Sequence, residues 1–168
     1  MIYYNSMARG YNELYGHEQS KKINIIKNNI KVNANAKILD VGCGTGISSN
    51  FNSFVVGIDQ GIELLKQSNK LKILAFAEYL PFKDRSFDYV ISVTAIHNFK
   101  NIRKSMKEIK RVGTKNFVFS ILRKSKKYNY IKRLVQKDFR IYKSIEEGKD
   151  TIFLCQNSAK NQRFIYRK

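Results

Sequence analysis

Apolar residues along this chain follow two alternating rhythms. Short continuous apolar blocks recur at 37–41, 54–59, 72–76, 87–93 and 116–122, and each predicts a buried strand. Between them the apolar positions return every three or four residues. Ile23, Ile26 and Ile30 predict a helix over 18–30, and Ile102, Met106 and Ile109 predict one over 101–111. Residues 61–68 predict a short helix with Ile62, Leu64 and Leu65 turned inward, and another short helix is expected after Gly46. A basic helix is expected over about 128–140, with Ile131, Leu134 and Val135 on one face. Thr151–Cys155 and Arg163–Tyr166 read as two late strands around a polar turn at 157–161. Alternating strands and helices imply a parallel sheet covered on both faces. Two strands joined by a short turn can only pair antiparallel. The expected fold is therefore α/β: a Rossmann-like, doubly wound, mostly parallel seven-stranded sheet with a C-terminal antiparallel hairpin.

The first strand carries the most specific chemistry. Ile38-Leu39-Asp40-Val41 runs directly into Gly42-Cys43-Gly44-Thr45-Gly46. Glycine suits a sharp turn in which backbone must lie against a ligand. A dinucleotide site usually reads G-x-G-x-x-G, with pyrophosphate at the helix N-terminus. Here the spacing is G-x-G-x-G and Asp40 stands just before it. A carboxylate there would repel a pyrophosphate and suit a ligand with a cationic end, such as the ammonium group of S-adenosylmethionine. The second strand ends on Asp59, followed by Gln60. An acid about 20 residues beyond a glycine turn can accept hydrogen bonds from both ribose hydroxyls.

The acid–GxGxG string resembles motif I of the class I S-adenosylmethionine-dependent methyltransferases. Ala77-Glu78-Tyr79-Leu80-Pro81-Phe82-Lys83-Asp84-Arg85-Ser86-Phe87-Asp88 resembles a segment of the methyltransferases related to quinone-biosynthesis and wobble-uridine tRNA enzymes. The resemblance spans nearly the whole chain as one domain: a lid or helix at 1–30, a cofactor core at 36–122, and a basic helix and terminal hairpin at 123–168. It implies S-adenosylmethionine as cofactor, bound by Asp40, Gly42, Gly44, Gly46, Asp59, Gln60, Ala77, Glu78 and Thr94. Arg9-Gly10-Tyr11 resembles the family's N-terminal segment that folds over the cofactor, so Tyr11 joins that set. Many members carry Asp where this chain has Phe76, which removes an adenine contact that Ala77 backbone or Glu78 would have to replace. After strand 4, Thr94-Ala95-Ile96-His97-Asn98-Phe99 replaces the Asn/Asp-Pro-Pro-aromatic motif of base-amine methyltransferases. His97 is the candidate general base, since imidazole titrates near neutrality. A base is dispensable where the acceptor has a free lone pair, because alignment supplies much of the acceleration.

Charge then adds a partner. The chain has 32 Lys+Arg against 13 Asp+Glu, a net of +19. Residues 1–99 carry 11 and 8 of these, a net of +3, and residues 100–168 carry 21 and 5, a net of +16. A one-sided basic half points to a polyanion, because each neutralised phosphate releases counterions. Arg123, Lys124, Lys126, Lys127, Lys132 and Arg133 are interleaved with Tyr128 and Tyr130, a combination suited to RNA backbone and base stacking. Lys104, Lys107, Lys110 and Arg111 form a second basic stripe. The expected activity is methylation of RNA, tRNA or rRNA. The alternatives are a small-molecule methyltransferase and a non-catalytic RNA-binding subunit of the same fold. The resemblance also implies a candidate partner, since some relatives of the wobble-uridine and rRNA guanine-N7 enzymes work with a small zinc-ribbon activator protein that pairs with an exposed strand. Cys43 and Cys155 lie far apart in apolar or glycine-rich contexts, so no disulfide framework is expected. No metal-ligand spacing and no membrane span are found in the sequence, and a cytoplasmic setting is the expectation.

Overall fold

A computed structural model describes residues 10–158 of the chain. The elements are α1 (Tyr11–Asn29), β1 (Lys37–Val41), β2 (Phe54–Asp59), α2 (Ile62–Gln67), β3 (Lys72–Leu74), β4 (Phe87–Val93), α3 (Ile102–Val112), β5 (Gly113–Leu122), α4 (Tyr128–Asp138), β6 (Phe139–Glu147) and β7 (Asp150–Asn157). A single 3-10 turn, Ile96–Asn98, lies between β4 and α3. All seven strands form one sheet in the order β3-β2-β1-β4-β5-β7-β6. The first five are parallel, and β7 inserts antiparallel between β5 and β6.

Side-chain alternation along the strands separates two apolar layers. Leu39, Val41, Val90, Phe117, Phe119 and Phe153 face α3 and α4, meeting Ile102, Met106, Ile109, Ile131 and Val135. Ile38, Ile91, Val93, Val118, Ile152 and Leu154 face α1, meeting Ile23 and Ile26. Each such buried side chain stabilises by about 1.5–3 kcal/mol relative to exposure. Asn101 starts α3 by accepting a hydrogen bond from Lys104 N at 3.0 Å.

Several local expectations are corrected. No helix follows Gly46; residues 42–50 form consecutive turns, with Gly46 N donating to Cys43 O at 2.9 Å and Ser49 N to Gly46 O at 3.1 Å. The Ser48 and Ser49 hydroxyls both reach back to Asp40, which bends the chain away from helical geometry. Ile62, expected inside, is exposed, and only Leu64 and Leu65 of that helix are buried. β3 is three residues long, and α1 begins seven residues earlier than expected.

The terminal hairpin lies elsewhere than the pattern suggested. The basic helix stops at Asp138, and a strand absent from the sequence reading, β6, follows at once. β6 and β7 join through Gly148 and Lys149, with Glu147 opposite Asp150. Gly148 takes φ +51, a conformation glycine adopts without a Cβ penalty. The expected strand at 163–166 lies outside the described residues. Among the described residues β6 is the sheet's outer edge, and it carries Arg140, Lys143 and Glu146, charges of the kind that guard an edge against pairing with other chains. That polar edge masked its strand character.

The chain reverses direction across the sheet between β1 and β4. In an open α/β sheet this opens a crevice beyond the strands' carboxyl ends.

Candidate active site

A cleft of about 320 Å³ occupies that crevice. Gly42, Gly44, Ile58, Asp59, Gln60, Gly61, Ala77 and Glu78 line one end. Tyr15, Glu18, Gln19, Thr94, His97, Asn98, Leu122 and Lys149 line the other.

The glycine turn makes the first end. Gly42, Gly44 and Gly46 have φ of +80, +53 and +87, so a side chain at any of them would be strained. A Cβ on Gly42 would stand 2.4 Å from Ala95 Cβ, and one on Gly46 2.4 Å from Ser68 Oγ. Gly42 N and Cys43 N both donate to Ile58 O, at 2.8 and 3.0 Å, which binds the turn to the end of β2. Asp59 completes the joint: Oδ2 accepts from Gly44 N at 2.9 Å and Oδ1 from Gly61 N at 2.7 Å. Burial pushes its carboxyl up, while the N–H groups of Gly61, Gly44 and Gln60 hold it back. Each Asp59 oxygen keeps acceptor capacity for a hydroxyl in the cleft.

Asp40 sits apart from the cleft lining. It is fully buried, and its Oδ2 accepts from Ser48 Oγ at 2.5 Å and Ser49 Oγ at 2.7 Å. Burial raises its pKa to about 6, partly offset by the two serines. Its Oδ1 has no hydrogen-bond partner among the described residues. The carboxylate therefore organises the turn from behind. Gly46 likewise packs on Ser68 and does not line the cleft. Cys43 is buried against Gly57, and burial pushes its thiol up, which suits packing and not nucleophilic chemistry.

Glu78 lines the cleft, yet its Oε1 accepts from Asn101 N at 2.8 Å, anchoring the start of α3. Arg111, expected on a basic stripe, is held inside the fold. Its guanidinium donates to Phe82 O at 2.7 Å and Leu80 O at 3.0 Å, and pairs with Asp84 at 2.8 Å and Glu108 at 2.7 Å. This fork fixes the loop after Ala77. Lys110 donates to Asp138 O at 2.6 Å, and Lys104 Nζ lies 3.2 Å from the centre of the Tyr79 ring. Lys107 alone of that stripe remains exposed without such a partner among the described residues.

The second end is assembled from distant parts of the chain. Thr94 follows β4 at φ +55, where a β-branched residue is rare, at a cost of about 1–3 kcal/mol. Its hydroxyl donates to Asp150 Oδ2 at 2.7 Å and accepts from Lys22 Nζ at 3.1 Å. The hydroxyl is thus turned into the protein. Burial pulls the pKa of His97 down; Asp150 opposes this, and Lys127 and Lys22 add to it. Its Nδ1 has no hydrogen-bond partner among the described residues. Lys127 Nζ donates to His97 O at 2.9 Å. Glu18 reaches Lys22 Nζ at 2.7 Å and Lys149 Nζ at 3.5 Å, and these partners pull its pKa down. The side chain of Tyr11, and Arg9, lie outside the described residues.

Of the other basic residues singled out, Lys124 and Lys126 are exposed and free of partners among the described residues. Arg123 pairs with Glu146 at 2.5 Å and also donates to Gly148 O, closing the hairpin turn. Arg133 donates to Asn129 O of its own helix at 3.3 Å, and Lys132 is half-buried. The sequence reading missed Glu18, Gln19, Lys22, Lys149 and Asp150. Only the Glu18–Lys22 spacing, one helical turn, was visible as a signal.

Residues 39–121 match the Methyltransf_11 family, a methyltransferase domain. A Methanocaldococcus jannaschii protein of unassigned role, MJ1252, is 33% identical over 124 residues, covering 70% of this chain and 48% of that one. The tRNA (carboxymethyluridine(34)-5-O)-methyltransferase of Schizosaccharomyces pombe is 27% identical over 78 residues, covering 44% of this chain and 34% of that protein. The phthiotriol/phenolphthiotriol dimycocerosates methyltransferase of Mycobacterium tuberculosis is 35% identical over 89 residues, covering 45% and 33%. The chain spans about half the length, or less, of these curated relatives. An S-adenosylmethionine-dependent methyltransferase fold from Methanococcus maripaludis superposes at TM-score 0.77, with 11% identity, covering 95% of this chain and 94% of that one. The methyltransferase in complex with the Trm112 activator of Haloferax volcanii superposes at TM-score 0.75, with 12% identity, covering 92% and 97%. Strand order, glycine turn and family match agree on the class of protein, an α/β cofactor-binding domain of the methyltransferase kind. The matched region, residues 39–121, is a methyltransferase domain, and its likenesses support the class I S-adenosylmethionine-dependent type. Among the described residues, no helix is long and apolar enough to cross a membrane, and no cluster of three His, Cys, Asp or Glu could hold a metal.

The residues present fit that family's cofactor. Three carboxylates (Glu18, Asp59 and Glu78) line the cleft against one lysine, Lys149, so its interior favours a cation. Ile58, Leu64, Ala75 and Phe99 offer apolar wall, and the strained glycines keep the turn clear of Cβ atoms.

Proposed function

We propose that this chain transfers a methyl group from S-adenosylmethionine to RNA. The observation that carries the reading is a reversal of charge between the cleft and its rim. The interior is acidic, while Lys100, Lys124, Lys126 and Lys127 stand exposed outside it. Of the five acids after residue 99, Glu108, Glu146, Glu147 and Asp150 are already paired with Arg111, Arg123, Lys21 and Lys22. Lys100, Lys107, Lys124 and Lys126, exposed and without such partners among the described residues, are therefore left to meet a polyanion. A cationic cofactor inside and a phosphate backbone outside match this distribution.

The cofactor supplies an electrophilic methyl group. Asp59 would hold its ribose hydroxyls, with Gly42, Gly44, Gln60, Ala77 and Glu78 around it. Thr94 and the turn after it would wall the acceptor side. His97, whose pKa burial pulls down, would take a proton from an acceptor that loses one. Closing the site against water falls to α1, through Tyr15, Glu18 and Gln19.

A protein partner fits at the opposite edge. β3 is the outer strand there, and Leu71, Leu74 and Phe76 beside it are 55%, 57% and 45% exposed. A strand added by an activator of the zinc-ribbon kind would cover them.

The test is transfer of a labelled methyl group to unmodified tRNA and rRNA, by the purified chain and by the chain co-expressed with such an activator. Labelled RNA is the expected result. Replacing Lys124 and Lys126 with Gln should also lower the salt slope of RNA binding by about 1.4, at about 0.7 per phosphate contact on a single strand. Cofactor binding without RNA labelling in either preparation would overturn the RNA reading and favour a small-molecule acceptor, as in the mycobacterial relative.

A further inference from the structure

A charge cluster with a fully buried centre lies beneath the Thr94 end of the cleft. Lys22 and Asp150 have no exposed surface. Lys22 Nζ donates to Glu18 Oε1 at 2.7 Å and to Thr94 Oγ1 at 3.1 Å, and forms an ion pair with Asp150 Oδ1 at 3.2 Å. Asp150 Oδ2 accepts from Thr94 Oγ1 at 2.7 Å and Ser120 Oγ at 2.6 Å. Thr94 N also donates to Ser120 O at 3.0 Å. The members come from α1, the end of β4, β5 and the first residue of β7. Four elements are joined at one buried point.

Stability alone is a poor reason for such a cluster, since apolar packing often serves a core as well as a buried ion pair. Its placement suggests another role. The cluster grips Thr94, the one described non-glycine residue near the cleft with a left-handed backbone. Thr94 opens the turn that sends Ala95 against Gly42 and brings His97 and Asn98 to the cleft. The direction of that turn depends on the backbone at Thr94.

We propose that Lys22, Asp150 and Ser120 are positioning residues, holding Thr94 in its left-handed conformation and so fixing where His97 and its turn face the acceptor. This rests on the methyl-transfer reading for its kinetic consequence, but its structural consequence is independent of any activity.

The experiment compares Thr94→Val, which removes the hydroxyl at equal size, with Thr94→Ser, which keeps it, and with Lys22→Met. The chain has two histidines, so the imidazole 15N signals of His97 are readily separated from those of His17 by NMR. Thr94→Val and Lys22→Met should shift the His97 signals, while Thr94→Ser leaves them near the wild-type positions. With labelled S-adenosylmethionine and RNA, Thr94→Val should lower kcat at least tenfold and change KM for RNA by less than threefold, with Thr94→Ser recovering most of kcat. Unmoved His97 signals in Thr94→Val, or a lower Tm with unchanged kcat per folded molecule, would overturn the proposal. If the wild-type chain methylates no RNA, the functional reading fails, and the NMR comparison still decides the positioning role. If Lys22→Met does not fold, the two Thr94 variants decide it.

Discussion

The two ends of the cleft are made by different means. The end around Asp59 is built mostly from residues 42–61, close in sequence and joined mainly by backbone hydrogen bonds, with Ala77 and Glu78 added from the loop after β3. The end around Thr94 and His97 joins residues from 15–22, 94–98, 120 and 149–150, and side chains do most of the joining. A backbone-built pocket keeps its shape under most substitutions except at its glycines. A side-chain-built pocket can be retuned one residue at a time. On the proposed reading, the Asp59 end would hold the cofactor, a constant ligand, and the Thr94 end the acceptor, which differs among the relatives named above.

The largest expected effect comes where the two ends touch. In Gly42→Ala, the new Cβ falls 2.4 Å from Ala95 Cβ on a residue at φ +80. Loss of about 2–3 kcal/mol of stability is expected, with cofactor binding and methyl transfer failing together. Thermal unfolding and cofactor titration check it; loss of only one function would show that the ends are less joined than Gly42 and Ala95 suggest. Asp59→Ala should separate the ends instead. It removes hydrogen bonds to a charged acceptor, so cofactor affinity should fall about ten- to a hundredfold while RNA affinity holds. Titrating each ligand alone tests this, and unchanged cofactor affinity would move the ribose site away from Asp59.

The smallest effect concerns Asp40, behind the turn. Its folded pKa of about 6 lies above the ordinary 3.8, so the folded state holds the proton more tightly. The stability it contributes is fully present below about pH 3.8 and is lost as pH rises through about 6. Asp40→Asn lacks that loss. Relative to wild type, the variant should gain about 1 kcal/mol between pH 5 and pH 7, measured by denaturant unfolding of the cofactor-free protein. A pH-independent difference would mean that Asp40 titrates as an ordinary carboxyl.

The same division explains what the sequence disclosed. Asp40, the glycines and Asp59 were legible because turn and strand ends are local and glycine spacing is tied to backbone conformation. The parallel strands were legible as apolar blocks because both faces of the sheet are covered. β6 was hidden because an edge strand with Arg140, Lys143 and Glu146 loses its apolar signature. The helix after Gly46 was wrongly expected because the hold of Ser48 and Ser49 on Asp40 is a three-dimensional fact. Lys22 and Asp150 were not singled out, since nothing in their neighbourhoods announces a partner 128 residues away. Arg111 was misread as a surface cation for the same reason: its partners on the loop at 80–84 lie about 30 residues upstream.

The place of β7 also sets an order of events as the chain is made. β5 must leave one edge open until β7, the last described strand, slides in between it and β6. Lys22 emerges early from the ribosome, and Asp150 follows on the order of ten seconds later at ordinary synthesis rates. Through that interval Lys22 has Glu18 of its own helix as a partner, but not Asp150. The set of contacts that ties α1 to the sheet at this point is therefore complete only when the last described strand arrives.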